Sequence, residues 1–278
     1  MSEIKINLFS TYKKTEVAKP LEYSDIILNN VTVNFRLSNE KVDSLKDYMI
    51  RLVRNKLKYT EFRALDSINM RIKRGERVGI IGHNGAGKST LLKVISGVLK
   101  PTNGQVHVSG SVAPLLELGA GFDEEFSGMD NIYLNGAILG KSKAYLDSKL
   151  KVIIDFSELE SFIHHPVKNY SSGMRAKLGF AIATHLESDI VIIDEILSVG
   201  DENFKIKSEK KIADIVNSGK TLLLVSHSIE KIKALTDKVI WMEKGKIILV
   251  GSSKEVCDSY LKYIHGEHSD GLVHQQGT

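Results

Sequence analysis

The chain has 278 residues, with 42% hydrophobic and 26% charged residues. That balance excludes a wholly disordered, collagenous or disulfide-built protein. Its longest apolar runs, such as Ile190 to Ile193, are far shorter than the ~20 residues of a membrane span. One cysteine, Cys257, gives no internal disulfide, and Met1 to Tyr12 carry no basic-then-apolar leader pattern, so the expectation is a soluble cytoplasmic protein. A net charge of +4 permits an anionic partner without requiring one.

In chain order, residues 1–24 read as a loosely held extension. Ile26, Ile27, Leu28, Val31 and Val33 predict a strand region ending near Phe35. Val42, Leu45, Met49, Leu52 and Val53 then fall at helical spacing. Lys46, Arg51, Arg54, Lys56 and Lys58 lie on or near the other faces. The pattern predicts a basic amphipathic helix at about 40–60, which either packs on its own domain or lies at a membrane interface. Ile68, Met70 and Ile72 alternate as a strand, and Val78 to Ile81 form a short apolar strand before a glycine-rich loop and a helix from Lys88. Further apolar strands at Ile190 to Ile193, Thr221 to Val225 and Val239 to Met242, separated by helical stretches, predict βαβ units around a mainly parallel sheet. A helical subdomain is expected at about 123–187, with turns at Ser127-Gly128 and Ser172-Gly173. The last helix runs from Lys254 to Ile264, and 266–278 read as a tail.

The loop Gly82-His83-Asn84-Gly85-Ala86-Gly87-Lys88-Ser89, followed by Thr90, fits G-x-x-x-x-G-K-[ST] with the required strand before and helix after. Glycines let successive N–H groups converge on phosphate oxygens, and the helix N-terminus adds partial positive charge. Lys88 supplies a full charge for the β- and γ-phosphates, and the Ser89 hydroxyl is a Mg²⁺ ligand. The motif alone indicates a nucleoside triphosphate and a P-loop NTPase of the α/β class.

Asp194 and Glu195 end an apolar strand, which delivers them to the ligand-binding edge of a parallel sheet. Asp194 is placed to hold Mg²⁺, and Glu195 to orient or deprotonate the attacking water. His227 follows Leu222 to Ser226 in the same way and is a candidate contact to the γ-phosphate. Lys88, Glu195 and His227 form the expected catalytic set.

These elements, in this order, resemble the nucleotide-binding domain of ABC transporters, over about residues 25–265. Tyr170-Ser171-Ser172-Gly173-Met174-Arg175 occupies the place of the family's LSGGQ signature, with Tyr170, Ser172 and Met174 departing from it. The resemblance implies that Ser171, Ser172 and Gly173 close over ATP bound to a second copy. It implies that Asp201, in the D-loop-like Ser198-Val199-Gly200-Asp201, crosses the dimer interface, and that Phe35 stacks on adenine, although an ordinary core phenylalanine is the rival reading there. Glu117 stands where the Q-loop glutamine is expected and is a candidate Mg²⁺ neighbour.

Leu118-Gly119-Ala120-Gly121-Phe122, Gly128 to Leu134 and the inserted helix resemble the ATPases that export O-antigens, capsules and teichoic acids. The expectation is therefore an ATP- and Mg²⁺-dependent homodimer at the cytoplasmic face of the inner membrane. It works with a separate transmembrane permease on a lipid-linked polysaccharide, and no nucleic-acid partner is expected. The alternatives are a non-transport ABC ATPase acting on DNA or the ribosome, and an importer ATPase.

Overall fold

The computed structural model describes residues 24–38, 59–115, 118–119, 121–194 and 200–266. The expected N-terminal extension, the amphipathic helix and the C-terminal tail lie outside these residues, apart from their edges. One boundary differs from expectation. Tyr59 and Thr60, at the end of the helix expected at about 40–60, belong instead to the start of a strand. Its Tyr59, Thr60 and Phe62 are strand formers, and pairing with the preceding strand satisfies their backbone groups.

Two sheets are present. The first is antiparallel, in the order β2–β1–β4, from β1 (Ser24–Ser38), β2 (Tyr59–Lys73) and β4 (Asn103–Val108). The second has the order β5–β6–β7–β3–β8–β9. Its strands are β3 (Arg77–Ile81), β5 (Val112–Leu115), β6 (Ile190–Ile193), β7 (Thr221–Val225), β8 (Lys238–Glu243) and β9 (Lys246–Ser252). The first five in that order pair in parallel and β9 closes the edge antiparallel. This is the expected α/β class with a mainly parallel sheet.

Strand periodicity divides the core. Val78, Ile80, Ile192, Leu223, Val225 and Ile240 face helix α1 (Lys88–Ile95) and the antiparallel sheet. Ile81, Val191, Ile193, Leu224, Val239 and Trp241 point the other way. They meet α5 (Glu202–Val216), α6 (Ile229–Leu235) and α7 (Ser253–Ile264). Being covered on both faces explains why β6 and β7 are buried throughout and, apart from Thr221, apolar.

A third cluster holds the helical lobe: α2 (Gly128–Ile138), α3 (Lys143–Ser157) and α4 (Ser172–His185). Ser127-Gly128 and Ser172-Gly173, read from sequence as turns, are helix starts. Ser127 forms a reciprocal cap with Asp130, and Ser171 caps α4. Among the described residues no helix is long and apolar enough to cross a membrane.

Candidate active site

The parallel register assembles the site. Ile193 pairs with Leu224, and Ile80 with Val225. Asp194 therefore leaves β6 level with Val225, while Gly82 and His227, level with each other, leave the neighbouring strands two residues further along. With ~4.8 Å between strands, the three exits converge on one edge. His227 is exposed there and Asp194 half-buried.

The loop between β3 and α1 is shaped by backbone necessity. Gly82 has φ 146°, and a Cβ on it would lie 2.1 Å from the Met242 carbonyl oxygen. Gly87 has φ 100°, and its Cβ would lie 2.6 Å from the Ala64 oxygen. The β8–β9 turn, Lys244-Gly245, has positive φ at both residues, the signature of a tight hairpin. It grips the loop from outside. The Gly245 N–H donates to the Ala86 oxygen at 3.0 Å, and the Asp66 N–H donates to the Gly245 oxygen at 2.9 Å.

Lys88 is 8% exposed and curls back over the loop. Its Nζ donates to the carbonyl oxygens of Gly82 at 2.6 Å and His83 at 3.0 Å. The ammonium is thereby held at the mouth of the loop. Ser89 is exposed, Thr90 is half-buried, and Asn84 and Gly85 are exposed.

A comparison of helix starts identifies what this loop is built to receive. Of the seven α-helices among the described residues, six begin on a side-chain cap: Ser127, Ser142, Ser171, Asp201, Ser228 and Ser252. The seventh, α1, begins on Gly87 with no side-chain cap and no acidic residue in its first turn. Its first N–H groups and its positive end are left for an anion. Mg²⁺ fits the donors at hand, because a hydroxyl (Ser89) and a carboxylate (Asp194) on hard oxygen suit a cation that shares its shell with phosphate.

At the signature position, Ser171 Oγ accepts the Met174 N–H at 3.2 Å. Gly173 has no positive φ, and a Cβ on it would meet nothing closer than Ser171 Oγ at 3.8 Å. Nothing in this chain requires a glycine there. Tyr170 is buried and its hydroxyl donates to the Phe162 oxygen at 2.7 Å, so this departure from the signature leucine anchors the helical lobe. Asp201 caps α5 through the Phe204 N–H and pairs with Lys177 at 2.8 Å.

Phe35 is 38% exposed near the end of β1. It lies directly opposite Phe62 in the β1–β2 register, and Phe62 is 49% exposed. Sequence reasoning passed over Phe62, whose signal was its place in the strand-forming run after the insertion. Glu117, Glu195 and Ser198-Val199 lie outside the described residues. The pieces around Glu117 are described: Gly119 and Gly121 have φ near 85° and 83°. Gly119 packs against α4 so closely that a Cβ on Gly179 would lie 2.5 Å from its nitrogen. Beside this loop a cleft of about 630 Å³ separates the sheet lobe from the helical lobe. Ala113, Pro114, Leu118, Phe122 and Ile182 are among its lining residues.

A parallel sheet edge carrying this loop, its curled lysine and an uncapped helix defines a P-loop nucleotide-binding protein. Residues 65–198 match the ABC transporter family. The chain is 43% identical over 250 residues to the O-antigen export system ATP-binding protein RfbB of Myxococcus xanthus, covering 88% of this chain and 57% of that protein. It is 41% identical to the RfbB of Klebsiella pneumoniae, covering 84% of this chain and 96% of the relative. It is also 41% identical to the teichoic acids export ATP-binding protein TagH of Enterococcus faecalis, spanning 84% of this chain and 52% of that protein. The chain thus spans little more than half the length of two of these relatives and nearly all of the third. A solved structure with a similar fold is the ATP-binding cassette MJ0796 in a dimeric post-hydrolysis state with ADP and Pi. It has a TM-score of 0.62 at 20% identity, over 82% of this chain and 98% of that one. This chain belongs to the ABC transporter family.

Proposed function

We propose that the chain is the ATP-hydrolysing subunit of an exporter that moves a lipid-linked cell-surface polysaccharide across the cytoplasmic membrane. One observation carries this reading: 41% identity maintained over 96% of the length of an O-antigen export ATP-binding protein. Relatives named for O-antigen and teichoic acid export favour it over an importer, and over an ATPase working on DNA or the ribosome.

In this reading two copies sandwich two ATP molecules. Each nucleotide lies between one chain's phosphate loop and the other chain's Ser171, Ser172 and Gly173. The glycine at 173 supports this, because it leaves open space beside a helix N-terminus where an anion brought by a second copy can approach. Lys88 holds the β- and γ-phosphates, Glu195 orients the attacking water, and His227 contacts the γ-phosphate. Water's oxygen bonds to the γ-phosphorus as the bond to the β–γ bridging oxygen breaks. Mg²⁺, when bound by Ser89 and Asp194 with Glu117 nearby, neutralises phosphate charge. Asp201 faces the second copy, and Phe35 stacks on adenine.

The permease is a separate chain, so this subunit sits peripherally on the inner face of the membrane. The mostly apolar cleft beside residues 118–122, rimmed by exposed Val98 and Ile138, suits a permease segment.

The test is replacement of the wild-type gene by Lys88→Ala in the source bacterium. Surface polysaccharide should disappear while its lipid-linked form accumulates inside. Undiminished surface polysaccharide with a stably expressed variant would overturn the assignment.

A further inference from the structure

His83, the second residue of the phosphate loop, is exposed to solvent on one side and faces two tyrosines of α7 on the other. Its ring centroid lies 5.8 Å from that of Tyr260 and 6.3 Å from that of Tyr263, both tilted. Those tyrosines in turn pack on Trp241 of β8, at 5.4 Å and 5.0 Å. These spacings are those of favourable aromatic pairs. Trp241 pairs in register with Ile81, the residue immediately before the loop. A second link runs beside the first. The Tyr263 hydroxyl donates to Glu243 Oε1 at 3.0 Å, and Glu243 leads into the Lys244-Gly245 turn whose N–H holds Ala86. Helix α7 therefore reaches the loop at His83 through rings and at Ala86 through the hairpin. His83 is an exposed residue whose ring contacts are with Tyr260 and Tyr263.

We infer that Tyr260 and Tyr263 are positioning residues for the phosphate loop, acting through His83, and that Trp241 reports whether the loop is occupied. The inference rests on the reading of this loop as an ATP site. Phosphate binding requires the loop's N–H groups to converge, and a ring anchored at both ends of α7's last turns restricts where residue 83 can stand. Nucleotide arriving at the loop moves His83 against the tyrosines, and the shift reaches the indole. Trp241 is the single tryptophan of the chain, so its emission is unambiguous. Among the described residues its buried Nε1–H has no hydrogen-bond partner, so the indole is held by packing against rings and the surrounding apolar core.

The experiment uses the full chain and two readouts, equilibrium binding of radiolabelled ATP and Trp241 emission. Saturating ATP should shift the emission of the wild type, and His83→Ala should bind ATP more weakly and lose the shift. Tyr263, at 37% exposure, tolerates replacement better than buried Tyr260. Tyr263→Leu should weaken ATP binding about 2- to 10-fold, the worth of an aromatic pair, with maximal turnover unchanged. Tyr263→Phe, which keeps the ring and drops the Glu243 bond, should recover most of that loss. Radiolabelled ATP bound by the wild type without an emission change, or wild-type affinity in Tyr263→Leu, would overturn the inference. Failure of the folded wild type to bind ATP at all would overturn the nucleotide reading beneath it.

Discussion

The Lys177 ammonium of α4 lies 2.8 Å from Asp201 Oδ2, while Oδ1 of the same carboxylate accepts the Phe204 N–H at 3.0 Å. One side chain thus caps α5 and ties it to the helix that begins at the signature position. Lys177 also pairs with Glu158 at 2.7 Å and sits 5.0 Å over the Phe204 ring. The helical lobe and the segment after β6 are joined at this point.

Asp201 gives a pH signature. Its bond from Lys177, and then the Phe204 N–H, hold the carboxyl down at about 2. The folded form prefers the ionised carboxylate, so the stabilisation is complete above the ordinary carboxylate range and is lost as pH falls from near 4 through about 2. Asp201→Asn should be less stable than wild type at neutral pH, and the gap should close on acidification through that window. Urea unfolding of both proteins across pH 2 to 7 reads this directly. A constant gap would show that the charge plays no part.

Gly173 separates folding from function. A helical glycine costs about 0.5–1 kcal/mol relative to alanine, and the surroundings leave room for a methyl group. Gly173→Ala should raise the unfolding free energy by that amount while slowing ATP turnover on the order of tenfold, about 1.4 kcal/mol of barrier. Denaturation and phosphate-release assays on one preparation measure both. A variant that is more stable and fully active would remove the glycine from the nucleotide sandwich.

Gly82 and Gly85 should differ sharply. Gly85 has φ 80° and open space, so Gly85→Ala carries only the left-handed penalty, about 1–2 kcal/mol. Gly82→Ala adds a collision with the Met242 carbonyl and should cost more than about 3 kcal/mol or abolish folding. Paired unfolding curves would contradict this if the two variants were equally stable.

The legible parts of this chain were those set by local chemistry. The loop at 82–89 could be read because phosphate cradling needs those residue types at that spacing, and β6 and β7 because burial on both faces leaves an uninterrupted apolar run. Contacts between distant segments were not. Nothing near His83 announces Tyr260, and nothing near Tyr170 announces the Phe162 carbonyl, because a pairing fixed by tertiary packing leaves no periodicity behind. The start of β2 was obscured for another reason. A run of basic residues crosses the boundary at Tyr59, and charge drew attention away from the strand formers beside it.

The bare start of α1 makes its first turn a place for nucleotide. Every other described α-helix closes its first turn with a side chain of its own. This one leaves that turn for a molecule that comes and goes. ATP is thus a removable piece of the protein's secondary structure, and each catalytic cycle takes that piece away and puts it back.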